Sequence, residues 1–326
     1  PAILNISFIL SIFILTPLLP SAGHALSYGV LIGGVLQFLY LYRSVLKFYR
    51  PRLRIPVLNE KLKNFFRLFL PGIVGSGVIQ LNIVIGTIIA SFLPVGAISH
   101  IYYADRLNQL PLAIFGIALG IVLLPNLSKA IKQSDKETTH NIQNRSIEFS
   151  LLISLPSAIG LFILAEPIIY ILFERGAFLQ EDTFYTARVL GYFALGLPAY
   201  IIIKVLVACF FAREDTKTPL YISIVSVISN IVLSLLLIES MREMGIALAT
   251  AISAWINALL LYVMLSQRNN IKFDRLLVSN SIKILISSIM LILGIYGLKV
   301  ILFEDFVTNS ILLNSLFLLL TIFLTI

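Results

Sequence analysis

The sequence has few charged residues, one cysteine and one tryptophan. Charged residues make up 12% of its 326 positions and hydrophobic residues 59%, whereas soluble domains are about 25% charged. Such a chain cannot cover its surface with polar groups in water, which excludes soluble, disordered and collagen-like proteins. The single cysteine, Cys209, cannot form a disulfide within the chain, so a disulfide scaffold is excluded too. The composition therefore predicts an integral membrane protein.

Motifs of catalysis and metal binding are also missing. The three histidines are scattered, and the sequence contains no HExxH motif, no Walker A motif and no pair of aspartate-rich motifs. We therefore predict no enzymatic activity, no metal and no cofactor. The net charge of +8 could indicate nucleic-acid binding, but basic cytoplasmic loops explain it better in a membrane protein, so no nucleic-acid partner is expected.

Ten apolar segments are long enough to cross a bilayer, which takes about 20 helical residues. They are residues 3–19, 27–48, 65–93, 97–124, 148–172, 184–211, 218–238, 245–266, 281–302 and 308–326. The runs are continuous, which favours an all-α protein over a transmembrane barrel. Eighteen of the 24 Lys and Arg residues lie in alternate connections, which predicts that these connections and both ends of the chain are cytoplasmic. The predicted cytoplasmic connections are 49–64, 125–147, 212–217 and 267–280.

Two polar stretches divide the predicted helices into groups. The first is basic and contains Pro51 and Pro56, which break helices. The predicted parts are two leading helices (1–48), a basic cytoplasmic linker (49–64) and a six-helix lobe (65–266). A second cytoplasmic linker (267–280) and two additional helices (281–326) follow. The chain starts at Pro1 without a methionine and stops at Ile326 within an apolar run, so we expect a fragment of a longer protein.

The most informative polar site lies inside the fourth predicted span. It combines phenols, charges and amides, namely Tyr102, Tyr103, Asp105, Arg106, Asn108 and Gln109. Arg106 lies about 12 Å beyond Ile98 along a helix, and an arginine near the bilayer centre costs about 2.5–3.5 kcal/mol. Asp105 neutralises it poorly, because adjacent helical residues do not face each other. We expect either an ion pair with another helix or, as the preferred interpretation, a polar cavity that holds an anionic substrate.

Other polar residues lie within the predicted spans. Lys204 is in the sixth span, Gln80 and Asn82 are in the third, and Asn230 is in the seventh. Such amides usually hydrogen-bond across helices, and these could line a polar cavity. A cation site is an alternative, but the carboxylates that a tight site favours are missing there.

Two stretches strongly resemble the MurJ (MviN) family of lipid II flippases. They are YYADRLNQLPLAIFGIALGIVLLPNLSKA at residues 102–130 and KVLVACFFAREDTKTP at residues 204–219. The resemblance extends over nearly the whole chain, including residues 31–38 and 70–92. It implies a fold of the MOP exporter superfamily, in which two MATE-like six-helix lobes are followed by two extra helices. This chain would then supply the last two helices of the first lobe, the complete second lobe and the extra pair.

The resemblance also implies a function and a site. Family members move lipid-linked peptidoglycan precursor, lipid II, from the inner to the outer leaflet of the bacterial cytoplasmic membrane by alternating access. Arg106 matches the family's cavity arginine in the ADR motif, with Asp105 beside it and Gln109 nearby, and Lys204 matches the KVL lysine. The expected partners are lipid II and membrane lipids, while partners in the cell-wall synthesis machinery stay open.

Three other functions remain open. Another MOP-superfamily exporter, such as a polysaccharide-lipid flippase or a drug or cation antiporter, would share the fold and differ in its substrate. A membrane enzyme acting on polyprenyl phosphates would require clustered carboxylates, which the sequence lacks. A channel or a structural scaffold would not need Arg106 in mid-membrane.

Overall fold

The computed structural model describes residues 2–49 and 60–306, and the regular structure in these ranges is helical. The helices are α1 (Ala2–Leu15), α2 (Ala22–Leu46), α3 (Glu60–Ala90), α4 (Ala97–Pro111), α5 (Ile117–Lys132), α6 (Lys136–Ile163), α7 (Ala165–Phe173), α8 (Gln180–Ala194), α9 (Leu197–Phe211), α10 (Lys217–Met241), α11 (Glu243–Gln267) and α12 (Arg275–Phe306). Each predicted span up to 281–302 falls on one helix or on two successive helices. The predicted span 308–326 and most of the predicted linker 49–64 lie outside the described residues.

Three of the predicted spans are interrupted helices. Helix α4 passes after Pro111 into a π-helical turn, Leu112–Gly116, before α5 begins, and a proline favours this irregularity because it has no N–H to donate. The predicted span 148–172 breaks at Leu164, between α6 and α7. The predicted span 184–211 breaks between α8 and α9, where Pro198 stands in the first turn of α9.

Two predicted connections are shorter than the sequence indicated. The connection predicted at residues 125–147 is largely helical, because α5 runs to Lys132 and α6 begins at Lys136. Asp135 caps α6 by accepting a hydrogen bond from the backbone N–H of Thr138 at 2.9 Å, so the helix starts well before its apolar segment. Helix α12 likewise begins inside the predicted linker 267–280.

The chain divides into two compact units, Pro1–Glu60 and Lys61–Ile326. In the first unit, α1 and α2 form a helical hairpin with small residues in contact. A Cβ atom added to Gly29 would lie 2.9 Å from the Cβ of Ser11. The two helices can approach this closely only because glycine has no side chain.

The second unit contains nearly all of α3 and the helices α4 to α12. One apolar cluster joins α5, α6, α9 and α11, with Leu127, Phe210 and Leu265 among its buried members. Another joins α4, α7 and α8, with Leu107 and Leu190 buried in it. These two clusters fix α4, which carries Asp105, Arg106 and Gln109, and α9, which carries Lys204.

Side chains of α6 hold the connection between α11 and α12. The amide nitrogen of Asn144, a residue only 2% exposed, donates to the backbone carbonyl of Lys272 at 3.0 Å. The guanidinium of Arg145 lies 2.7 Å from a carboxylate oxygen of Asp274. The backbone N–H of Leu277, together with Arg145, holds the pKa of the Asp274 carboxyl below its usual range.

Candidate functional site

Helix α4 has one buried face and one exposed face. Ala104 and Leu107 are buried against α7 and α8. The exposed stripe contains Tyr102, Arg106 and Leu110, which are four residues apart and therefore lie on the same side of the helix. Packing of the apolar face thus forces Arg106 onto the side of α4 that points away from this core.

Arg106 and Asp105 do not pair with each other. The guanidinium carbon of Arg106 lies 4.7 Å from the ring centre of Tyr102, which is a cation–π distance. No described residue forms an ion pair with Arg106. Asp105 is half-buried and accepts a hydrogen bond from the side-chain amide of Gln109, one turn further along the same helix. Gln109 is therefore the direct partner of Asp105, a role that the sequence did not predict.

Lys204 lies at a separate cavity of about 510 Å³ within the second unit, and the lining of this cavity is largely apolar with several polar side chains. The residues that line it with polar groups are Asn82, Tyr200, Lys204, Thr216, Ser223, Ser226, Thr250, Ser253 and Asn257. Among the described residues, the cavity wall thus includes Lys204 and Asn82 but not Arg106, Asp105 or Gln109. The residues predicted to bind the substrate therefore divide: Lys204 lines this cavity, Arg106 lies on the exposed face of α4, and Asp105 and Gln109 are half-buried on α4.

The predicted amides bond across helices. The side-chain nitrogen of Asn230 on α10 donates to the side-chain oxygen of Asn82 on α3 at 2.9 Å. The oxygen of Asn230 accepts from the hydroxyls of Ser234 and Thr250, both at 3.4 Å. Gln80 is exposed and is not part of this cluster.

A charged cluster that sequence reasoning missed lies at the other end of α4. His100 is 5% exposed and contacts carboxylates from α8 and α11. A single polar residue near the start of a span carried no signal of its own, because its two partners lie 82 and 143 residues away in the sequence. In the described ranges, no group of three His, Cys, Asp or Glu side chains could hold a metal ion.

The described residues include six helices that are long and apolar enough to cross a membrane, and their fold is similar to that of transporters of the MOP superfamily. The structure aligns with an outward-facing MATE-family multidrug resistance transporter of that superfamily at a TM-score of 0.57 and 18% identity, covering 72% of this chain and 54% of that one. At this identity the likeness concerns the fold alone. The structure of this chain also aligns with a lipid II flippase MurJ in an inward closed conformation. The TM-score is 0.77 at 28% identity, and the alignment covers 100% of this chain and 65% of the other.

Sequence comparison identifies the family. The family model for the lipid II flippase MurJ matches residues 1–317. A probable lipid II flippase MurJ from Rhizobium tropici is 43% identical over 264 residues, which cover 81% of this chain and 49% of the relative. Another from Haemophilus influenzae is 34% identical over 298 residues, covering 89% and 58%. The chain therefore belongs to the lipid II flippase MurJ family, and it spans about half the length of the curated relatives it matches.

Proposed function

We propose that this chain is part of a flippase that moves lipid II from the inner to the outer leaflet of the bacterial cytoplasmic membrane. The observation that carries the proposal is Arg106, which is exposed on α4, has no ion pair among the described residues and lies in the stretch YYADRL. A transporter of this kind makes and breaks no covalent bond of its substrate. The proposal thus concerns binding and movement, not catalysis.

Arg106 has the chemistry needed to bind the head group. Lipid II joins a polyprenyl tail to a polar disaccharide-peptide through a pyrophosphate. A guanidinium matches pyrophosphate oxygens because its planar fork donates two parallel hydrogen bonds. An arginine left facing hydrocarbon would cost about 2.5–3.5 kcal/mol, and a bound anion removes that cost. Asp105 hydrogen-bonds to Gln109 and forms no ion pair with Arg106 in the described part of the chain, which leaves the guanidinium available.

Lys204 and its cavity would provide a second polar contact. An ammonium is a compact charge with three donors, which suits an anionic or carbonyl oxygen without strict geometry. The hydroxyls and amides that share the cavity with Lys204 suit sugar or peptide groups. Rocking of two lobes about such a site would expose it alternately to the two sides of the membrane.

Arg106 can be tested in a chimera in which this chain replaces the matched half of the Rhizobium tropici relative. The unmodified chimera should rescue growth of a flippase-depleted bacterium. Arg106→Gln should abolish rescue, and Arg106→Lys should retain part of it because the charge survives and the fork does not. Arg188→Gln is the matched control, because Arg188 is also exposed and stacks on an aromatic ring one turn earlier, 4.3 Å from the centre of Phe184. Normal growth with Arg106→Gln at equal membrane levels would contradict the proposal.

The same chimera separates this function from that of another MOP-superfamily exporter. Reconstituted into vesicles, it should move a fluorescent polyprenyl-pyrophosphate-linked sugar between leaflets. Competition by an excess of lipid-linked pyrophosphate, with none by a cationic drug, is the expected result. Transport of the drug alone would assign the chain to the exporter class instead.

We also infer that the connections rich in Lys and Arg, and both ends of the chain, face the cytoplasm. Cys209, the single cysteine of the sequence, is buried, so a cysteine introduced at an exposed position can be labelled selectively. In intact cells a membrane-impermeant maleimide should label Arg175→Cys and should not label Lys136→Cys; both positions are exposed in the structure. The opposite pattern would invert the proposed topology.

A further inference from the structure

His100 lies between two carboxylates that come from different helices. Its Nε2 is 3.0 Å from an oxygen of Asp182, near the start of α8, and its Nδ1 is 3.2 Å from an oxygen of Glu243, the first residue of α11. The side chains of His100 and Glu243 are 7% and 0% exposed, and that of Asp182 is 31% exposed. The cluster thus ties α4 to α8 and α11 at the end of the lobe that is predicted to face outward.

The geometry requires one proton more than a neutral imidazole and two ionised carboxylates carry. A neutral imidazole has one N–H and one bare nitrogen, and an ionised carboxylate can only accept. Both ring nitrogens here face carboxylate oxygens at hydrogen-bond distance. A hydrogen must therefore lie in each contact, and the imidazole of His100 supplies only one when it is neutral. The other is an additional proton bound by the cluster, whether it sits on the ring or on a carboxyl group.

The surroundings of the cluster are charged but nearly balanced. Nε of Arg242 lies 3.4 Å from the second oxygen of Glu243, and the second oxygen of Asp182 accepts from the backbone N–H of Leu179 at 2.8 Å. The ring of Tyr185 stacks on His100 with centres 5.6 Å apart. The titratable or charged groups next to the imidazole are Asp182, Tyr185, Arg242 and Glu243, with Glu174 bonded to Thr183 beside them. With the extra proton, the net charge of His100, Asp182, Arg242 and Glu243 together is zero.

We propose that His100, Asp182 and Glu243 form a proton-binding site that pins the start of α4 to α8 and α11. Loss of the proton leaves a bare nitrogen facing a carboxylate, so the pin weakens as the pH rises. Arg106 lies six residues further along α4. If the chain acts as the flippase proposed above, the pH at the predicted outer face controls how firmly α4, the helix that carries Arg106, is held against α8 and α11.

Glu243→Gln tests the proton without removing the contact. The amide N–H of glutamine can donate to the bare ring nitrogen, so this variant completes both contacts with a neutral imidazole. We expect the thermal unfolding temperature of the full chain in lipid nanodiscs to fall by about 3–6 °C more in the wild type than in Glu243→Gln between about pH 6 and pH 9. This measurement needs no substrate, so it stays informative if the flippase function is wrong.

Glu181→Gln is the control, because Glu181 is exposed and adjacent to Asp182 in α8. It should keep the wild-type pH dependence. His100→Leu should lose the pH dependence together with stability, and if it fails to fold, Glu243→Gln still decides the question. Equal pH dependence of the wild type and Glu243→Gln would overturn the proposal.

Discussion

The hydrogen bond between Asn230 and Asn82 should couple α10 to α3 by a measurable free energy. Asn230 is 6% exposed, and its amide nitrogen donates to Asn82 at 2.9 Å. Its two other contacts, with Ser234 and Thr250, are both 3.4 Å long and contribute less. The variants to compare are therefore Asn230→Ala, Asn82→Ala and the double variant, which together form a double-mutant cycle.

The size of this coupling free energy is that of one short hydrogen bond in an apolar environment. Hydrogen bonds between membrane helices contribute about 0.6 kcal/mol on average and at most about 1.7 kcal/mol. Removing Asn230 also leaves Asn82 without this partner, so the single change should cost about 1–3 kcal/mol. The coupling free energy from the double-mutant cycle should lie near 0.6–1.7 kcal/mol, because it isolates the pair.

The assay is reversible unfolding of the chain in mixed micelles with increasing SDS, followed by the fluorescence of Trp255, which lies on α11. Asn126→Ala is the control, because Asn126 is exposed and, among the described residues, bonds only to the carbonyl of Val122 in its own helix, at 3.1 Å. That change should cost less than about 0.5 kcal/mol and add independently to Asn230→Ala. A coupling free energy within about 0.3 kcal/mol of zero would refute the assignment of this bond.

Two further predictions concern packing and pH. Gly245→Ala should destabilise the lobe by about 1–3 kcal/mol, because the added Cβ would lie 2.7 Å from the backbone oxygen of Leu237; Gly160→Ala, where the Cβ meets nothing within 4 Å, should be neutral or stabilising in the same unfolding assay. The pKa of Asp274 is lowered by the N–H of Leu277 and the guanidinium of Arg145, so its contribution to stability is present above the unfolded value of about 3.9 and is lost as the pH falls through the folded value. Unfolding temperatures measured from about pH 6 to pH 3 should therefore fall less for Asp274→Asn than for the wild type.

The sequence determined the class and the order of the helices. Continuous apolar runs can satisfy their backbone hydrogen bonds in a bilayer only as helices, so length and composition were sufficient to predict the helical membrane fold. The motif around Arg106 was sufficient to predict the family. The division into domains, the membrane orientation and the role of each site residue stay predictions.

Only the tertiary structure decided which polar groups meet. Arg106 and Lys204 were predicted for one site, yet the packing of Leu107 against α8 turns Arg106 to the outside of α4 while Lys204 lines a separate cavity. The helix break at Leu164 was not predicted, although Pro167 in the first turn of α7 is consistent with it. His100 could not be paired from sequence, because its partners are set by how α8 and α11 pack beside α4. Helical periodicity is a local property that the sequence contains, whereas contacts between residues more than 80 positions apart depend on the packing of whole helices.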